Sequence, residues 1–505
     1  MIYGKETFSI ESGTVTRKAP KKNRGGFIVN TLTLVGGNVI AQAIVVALMP
    51  IITRLYPPQT FGIFSIFVSA TLVTMAVSHL RYNVAILLPS DEEDADALAL
   101  LGIIVVFVMS SLLLFTIIIC GPKISEALNM QEFTYIFFLV PLATLFGGIG
   151  LILNSWYLRA KEFKRLAISK VSGATGDRIT TLALGFQGLI GPEGLVLGRL
   201  TGNVFTIGAM LLRQETRHIF SICSLSSLKR LKKVAIRYKK FPKYVWSGLF
   251  NQLSFQAPVI ILGYFFTPTV VGLFALSRRV LAEPMQLIGE SLSRSFFQKA
   301  SETHNMGKDS AQLSERLLHY LILFVLFPMA LLGLTSVEVF SVVFGEKWQE
   351  AGVYTALLVP TFTAIFLCRP ISVFFDLLEK QKEAFIFNVL LFLVNAAILS
   401  VGGVFGNPLL TIGLFSASST LLFASRIVWL LSKIGVSLNS CARMLGFAIA
   451  RTLVFSFPVI SLKLFCSPTE LTVVIIAVLS LVLYYMHLFL TDTYLKNEVM
   501  LIIKH

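Results

Sequence analysis

Of 505 residues, 55% are hydrophobic and only 14% charged, with a mean hydropathy of +0.78, which excludes a water-soluble globular chain. Apolar runs long enough to span a bilayer recur from one end to the other, as expected of a polytopic membrane protein. The net charge of +16 would suggest nucleic acid in a soluble protein; here it sits in the connections between spans, and no nucleic-acid partner is expected.

Residues 1–25 are polar and basic, and the apolar run after them is too long for a signal-peptide core. No small-residue cleavage site stands out, so this segment is expected to be retained. Helical spans are predicted at 26–52, 61–80, 95–119, 133–158, 167–189, 193–212, 244–266, 270–297, 317–344, 352–378, 384–405, 409–431, 444–464 and 470–490. The fold class is therefore all-α, with about 14 transmembrane helices. Five cysteines show neither CxxC nor Cys/His ligand spacing and read as small buried hydrophobes. A disulfide between Cys120 and Cys466 has no support in the sequence.

The Lys and Arg of the connections fall almost entirely in alternate ones. One side holds the N-terminal segment, Arg81, the Arg159–Arg165 turn, the stretch from Arg213 to Lys243 and the C-terminal tail. The other side holds only Arg54, Lys123, Lys347 and Lys463. The positive-inside rule makes the basic face cytoplasmic and puts both termini there; the opposite face carries only short loops. LKRLKKVAIRYKKFPKY, residues 228–244 at the end of the connection from Arg213 to Lys243, is weakly amphipathic and placed to lie along anionic headgroups. Asp91, Glu92, Glu93 and Asp94 have no His or Cys beside them and read as a solvated loop.

The two halves of the chain resemble each other. NVIAQAIVVALMPII answers to LFNQLSFQAPVII, PPQTFGIFSIF to TPTVVGLFALS, and KEF at 161–163 to KEAF at 382–385. An even number of spans per copy keeps both copies in the same orientation, so a parallel repeat around a central cavity is expected. The chain divides into an N-terminal segment 1–25, an N-lobe 26–212, a basic linker 213–243, a C-lobe 244–431, additional spans within 432–490 and a tail 491–505.

Span 8 carries unusual charge for a membrane segment. At about 100° per residue, Arg279, Glu283, Gln286, Glu290 and Arg294 share a stripe roughly 80° wide, with Arg278 beside it. A charge at bilayer depth costs at least about 2.5–3.5 kcal/mol, so the stripe should face protein or a watery cavity. Mutual Arg–Glu pairing that merely pins helices is the bland alternative.

ITRLYPPQTFGIFSIF, LRYNVAILLPSDEEDA, RYKKFPKY, VGLFALSRRVLAEPMQLIGESLSRSFF and GEKWQEAGVYTALLVP resemble the polysaccharide-transporter family of the multidrug/oligosaccharidyl-lipid/polysaccharide exporter superfamily. The resemblance runs in order over residues 30–380; the last two spans lie outside it. It implies a flippase for undecaprenyl-pyrophosphate-linked oligosaccharide repeat units in the bacterial inner membrane, serving O-antigen, capsule or exopolysaccharide assembly. It further implies two six-helix lobes, alternating access and a cationic lumen. A polysaccharide polymerase and a chain-length regulator would be partners beside the lipid-linked oligosaccharide and membrane lipids, and no resident cofactor is expected.

For such a cargo, Arg suits the pyrophosphate because its fork binds phosphate oxygens in pairs. Arg279 and Arg278 come first, then Arg294, with Arg54 and Arg81 in family motifs at span ends where they could equally snorkel to headgroups. Arg178 beside Asp177, Arg199, and Arg369 with Asp376 rank lower. Asn38, Gln42, Asn251, Gln252 and Gln256 could meet sugars, or could simply join helices. Glu283, Glu290, Asp177 and Asp376 are carboxylates where H+ or Na+ coupling would act, unless they serve neighbouring Arg as salt-bridge partners. Among rivals, a multidrug exporter of the same superfamily should show an acidic cavity. A glycan polymerase or ligase should show a large outer loop. The six His form no catalytic or metal spacing, so an enzyme is not expected.

Overall fold

Inside a bilayer no water satisfies backbone N–H and C=O groups, so apolar stretches of this length close their hydrogen bonds within helices. The structure, a computed structural model, describes residues 24–212, 225–285, 310–466 and 468–491. Among these residues there are helices and no strand. The long helices are α1 (Arg24–Leu55), α2 (Pro58–Ser78), α3 (Glu92–Ala127), α4 (Val140–Arg159) and α5 (Phe163–Phe186). They continue with α6 (Pro192–Leu211), α7 (Val245–Phe265), α8 (268–285), α9 (Ser310–Phe344) and α10 (Gln349–Ile371). The last four are α11 (Gln381–Val404), α12 (Pro408–Ile434), α13 (Leu438–Phe465) and α14 (Glu470–Thr491). Among the described residues, eleven stretches are long and apolar enough to cross a membrane; α5, α7 and α8 stand between them in the same alternating course. Each falls on one of the predicted spans, and the protein is a multi-pass all-α membrane protein.

Local signals set the helix ends. Pro58, Pro192 and Pro408 open α2, α6 and α12, where a missing N–H costs nothing and φ is already helical. The Asn407 side chain accepts from the Leu410 N–H at 3.1 Å, and Gly435 at φ +88° ends α12 in the left-handed conformation that glycine adopts without strain.

Helices α1 to α6 pack mainly among themselves, with α5 against α6 and α1 and with α4 against α3, α2 and α6. In the second half, α10 packs on α9 and α12, and α11 on α12 and α7. Helices α13 and α14 pack on α9 and on each other, an attachment to the outside of the second half. The halves meet along α2 and α7 and at the start of α8.

That last meeting repeats the internal sequence match. A Cβ on Gly62 would lie 1.7 Å from Pro268 O, and a Cβ on Gly272 would lie 1.9 Å from Pro58 O. Pro58 and Gly62 of the first copy thus meet Gly272 and Pro268 of the second reciprocally, as at a two-fold contact. Only glycine allows backbones this close.

The short-loop end is sealed around this crossing. Tyr56, Phe61, Phe274, Phe340, Trp348 and Tyr354 are buried there in one apolar cluster drawn from both halves. The indole N–H of Trp348 donates to Thr53 O at 2.8 Å, and its ring stands edge-on to Phe61 at 4.9 Å. Asn129 donates to Tyr264 O at 3.1 Å across the halves. At the basic end the apolar clusters are separate. One holds Tyr82, Leu98, Tyr157 and Leu166; another holds Leu318, Phe374, Leu430 and Leu488.

Two expectations are corrected. The acidic run is not a solvated loop: Asp91 caps α3 and Glu92, Glu93 and Asp94 form its first turn, where the helix dipole favours negative charge. Arg230 of the linker helix Leu225–Arg237 pairs with Asp91 at 2.7 Å, with Asp94 at 3.0 Å and with Glu93, and Arg237 reaches Asp94 at 3.5 Å. The cysteines also divide. Cys368 and Cys441 are buried, but Cys120 is half-buried and Cys466 exposed, all four as free thiols. Cys120 and Cys466 lie toward the ends of α3 and α13, away from the cores that cover the other two. Cys223 lies outside the described residues.

Candidate functional site

Helix α8 brings its charges to the space between the halves by burying most of its large apolar side chains on the other side. Val271, Leu273, Phe274, Leu276, Leu281 and Met285 are in the core, which leaves Arg279 and Glu283, one turn apart, on the free side. Arg279 Nε donates to Glu283 Oε1 at 2.5 Å. The other oxygen, Oε2, accepts from Gln42 Nε2 of α1. This carboxylate therefore bridges the two halves of the molecule.

Three cavities meet at the pair. A polar one of about 540 Å³ is lined from α1 by Asn38 and Gln42, from α5 by Lys170, Asp177 and Arg178, and from α6 by Arg199 and Asn203. A second, of about 380 Å³, lies toward α2 and α7, where Ser69, Gln256 and Arg278 join Arg178 and Arg199. The third, of about 200 Å³, is an apolar fissure between α1 and α8 lined by Val45, Val46, Met49, Leu276 and Val280. Arg279 and Glu283 line all three.

The lining is cationic on balance. Lys170, Arg178, Arg199, Arg278 and Arg279 face Asp177 and Glu283. Arg178 is 5% exposed, and its Nε makes no hydrogen bond among the described residues. A buried guanidinium donor without an acceptor is costly, and an anion in the cavity would supply one. Asn38, Asn203 and Thr206 add hydrogen-bonding groups to the polar cavity, and Ser69 Oγ donates to Gln256 Oε1 at 3.1 Å in the second.

The residues singled out from sequence separate into two sets. Arg278, Arg279, Glu283, Asp177, Asn38, Gln42 and Gln256 come together around the cavities. Arg54 does not: its Nη2 donates to Val342 O at 2.8 Å, tying α1 to α9 at the short-loop end. Arg81 lies beyond the end of α2, and a Cβ on Gly248 would meet its guanidinium carbon at 3.4 Å. Asn251 is exposed and Gln252 half-buried, one to two turns from Gln256 toward the basic end of α7. Asp376 is exposed in the short helix Phe374–Leu377 after α10. Helix ends, a solvent-facing turn and, for Asn251 and Gln252, a place one to two turns along α7 from Gln256 keep these five out of the cavity lining. Glu290 and Arg294, with Gln286, lie outside the described residues.

Sequence reasoning passed over Lys170, Asn203 and Thr206 and ranked Arg178 and Arg199 low. A signal was present. Lys170, Asp177 and Arg178 recur after two turns on α5, and Arg199, Asn203 and Thr206 follow i, i+4, i+7 on α6. Two polar stripes on consecutive spans, read together, mark one shared face.

A family model described as "Polysaccharide biosynthesis protein" matches residues 51–353. No curated protein matches the chain in sequence. Among solved structures, the lipid II flippase MurJ in an inward closed conformation is similar over 92% of this chain and 99% of its own, at TM-score 0.63 and 12% identity. An inward-facing multidrug resistance MATE family transporter of the MOP superfamily is similar over 81% and 97%, at TM-score 0.51 and 12% identity. A mutant of the Vibrio cholerae MATE transporter VcmN covers 81% and 96%, at TM-score 0.50 and 13% identity. At these identities the likeness is one of fold.

Proposed function

Because the chain belongs to the polysaccharide biosynthesis protein family, we propose that it is a flippase for an anionic, lipid-linked oligosaccharide. The observation that carries this reading is the excess of cations over carboxylates around the cavities between the halves. A cargo with a pyrophosphate neutralises that charge and offers paired oxygens to Arg178, Arg199 and Arg279. Amides and hydroxyls of Asn38, Gln42, Asn203 and Gln256 suit sugar hydroxyls. The apolar fissure between α1 and α8 suits the part of the lipid next to the headgroup.

In this reading the cargo is an undecaprenyl-pyrophosphate-linked repeat unit, and the membrane is the bacterial inner membrane. The basic face is cytoplasmic by the positive-inside rule. The sealed short-loop end and the separate cores at the basic end then correspond to a state closed outward. Alternating access moves the cargo as rocking of the two halves breaks one seal and makes the other. The protein acts as a transporter and makes or breaks no bond in its cargo. Coupling to H+ or Na+ would act at Asp177 or Glu283, the two carboxylates in the cavity.

The test is translocation of a fluorescent pyrophosphate-linked oligosaccharide lipid in proteoliposomes by wild type, Arg279→Ala and Arg279→Lys. The expected result is flipping by wild type, a loss of more than about tenfold in Arg279→Ala, and partial recovery in Arg279→Lys. Equal rates in all three would make Arg279 structural. A wild type that exports cationic dyes and leaves the lipid in place would transfer the protein to the drug exporters.

A further inference from the structure

We propose that Glu283 is a resident counter-anion that both occupies Arg279 and latches α1 to α8, and that the phosphate of an incoming cargo displaces it and releases the latch. The proposal rests on the flippase reading for the identity of the cargo, but the two contacts of Glu283 are in the structure.

The argument begins with the cost of an unpaired charge. Arg279 projects from the apolar helix α8 into a cavity that it shares with Lys170, Arg178 and Arg199, where a guanidinium without an anion is unfavourable. Glu283, one turn along the same helix, supplies the anion through Oε1. A purely local pair leaves the second carboxylate oxygen free to turn to Arg279 as well, in a fork. Here the second oxygen is turned to Gln42 Nε2, on a helix from the other half of the molecule, 241 residues away in sequence. The same carboxylate thus does two things, and the second depends on the first: its rotamer is held by Arg279 in the position that Gln42 reaches.

A pyrophosphate entering the polar cavity brings more charge and more acceptor oxygens than one carboxylate, in the geometry that a guanidinium fork binds best. It also repels Glu283. Once Glu283 leaves Arg279, its Oε2 no longer lies where Gln42 can donate to it, and the contact across the α1–α8 seam is lost. The apolar fissure lined by Val45, Val46, Leu276 and Val280 lies directly behind this contact, so release of Gln42 frees the wall between the polar cavity and the fissure. Headgroup binding and parting of α1 from α8 become one event. An empty cavity keeps Arg279 paired and its seam shut.

The experiment combines a distance across the seam with an affinity. Spin labels at Ile40 of α1 and Val280 of α8 report the seam, and inorganic pyrophosphate is the binding probe. Wild type without ligand is expected to give a short, narrow distance distribution that lengthens on adding pyrophosphate. Glu283→Ala and Gln42→Leu are expected to give the lengthened distribution without ligand. Glu283→Gln, which keeps the side-chain shape, is expected to bind pyrophosphate about tenfold more tightly than wild type, because no carboxylate competes for Arg279. Gln42→Leu leaves that competition in place but has no latch to break, and is expected to bind more tightly than wild type but less tightly than Glu283→Gln. A wild-type distance in unliganded Glu283→Ala, or unchanged or weaker pyrophosphate binding in Glu283→Gln, would overturn the proposal. The flippase reading fails separately: if these shifts appear but wild type does not move the lipid-linked oligosaccharide, the latch stands and the cargo is another anion. If wild type moves the lipid and neither shift appears, the cargo stands and the latch falls.

Discussion

At the basic end of α2 the chain reverses through Leu80 and Arg81, both in the left-handed region at φ 43° and 63°. The imidazole of His79 fills this turn, 6% exposed, and its Nδ1 accepts from the Arg81 N–H at 3.1 Å. Burial, and then the charge of Arg81, push the imidazole down to about 4. The acceptor role requires a bare Nδ1, so geometry and electrostatics agree on a neutral ring. With the folded-state value below that of the unfolded chain, the contribution to stability is full above about pH 6.5 and is lost as pH falls toward 4. The apparent melting temperature of the detergent-solubilised protein should therefore drop between pH 6.5 and 4.5. In His79→Asn part of that drop should disappear, as a thermal-shift series in pH would show; parallel curves would mean that His79 does not contribute. The same scale shows why Arg178 was ranked low from sequence. An Arg beside an Asp suggests a satisfied local pair, and only the fold shows that its Nε is buried without an acceptor.

Among the elements, the linker helix Leu225–Arg237 shows how a charge pattern changes meaning once its partner is known. Its basic composition suggested a helix lying along headgroups, and the acidic run at 91–94 suggested a solvated loop. Folded, each is the other's partner. Val234 is buried against the first half, Arg230 and Arg237 hold Asp91, Glu93 and Asp94, and Lys229, Lys232 and Lys233 remain exposed. Exposed ion pairs contribute about 0–1 kcal/mol each, but Asp94 has a side chain only 8% exposed, so its pairing matters more. Arg230→Ala should loosen the helix by about 1–2 kcal/mol. Hydrogen exchange of residues 225–237 should then be roughly tenfold faster, with little change in α5 or α6. Unchanged exchange would mean that apolar contacts around Val234 are enough to hold the helix.

For the whole molecule, the decisive contact is the crossing of α2 and α8 at Gly62 and Gly272. It sits on the relation between the two sequence copies and closes the short-loop end together with Trp348 and Arg54. A Cβ at position 272 would fall 1.9 Å from Pro58 O, a distance that backbone cannot accommodate without moving. Gly272→Val should force the halves apart at this end. A reporter cysteine at Gln256, which lines the cavity, should then react several-fold faster with an impermeant maleimide supplied from the short-loop side. Labelling no faster than in the parent would show that the crossing is not the seal.

The sequence by itself determined the class of protein and the course of the helices among the described residues. Each of these follows from local or periodic properties: an apolar run of bilayer length must become a helix, and basic residues gather in alternate connections whatever the tertiary contacts. It also pointed to α8, because Arg279 and Glu283 on an apolar helix are conspicuous without any partner. Only the tertiary structure decided which polar residues share a cavity. Lys170, Arg199 and Asn203 meet Arg279 because α5, α6 and α8 converge between the halves, while Arg54 and Arg81, equally prominent in the sequence, are carried to the two ends. The bond from Gln42 to Glu283 belongs to the same class of fact. Its two residues are 241 positions apart, and no pattern along either helix records which side chain of the other half will stand opposite.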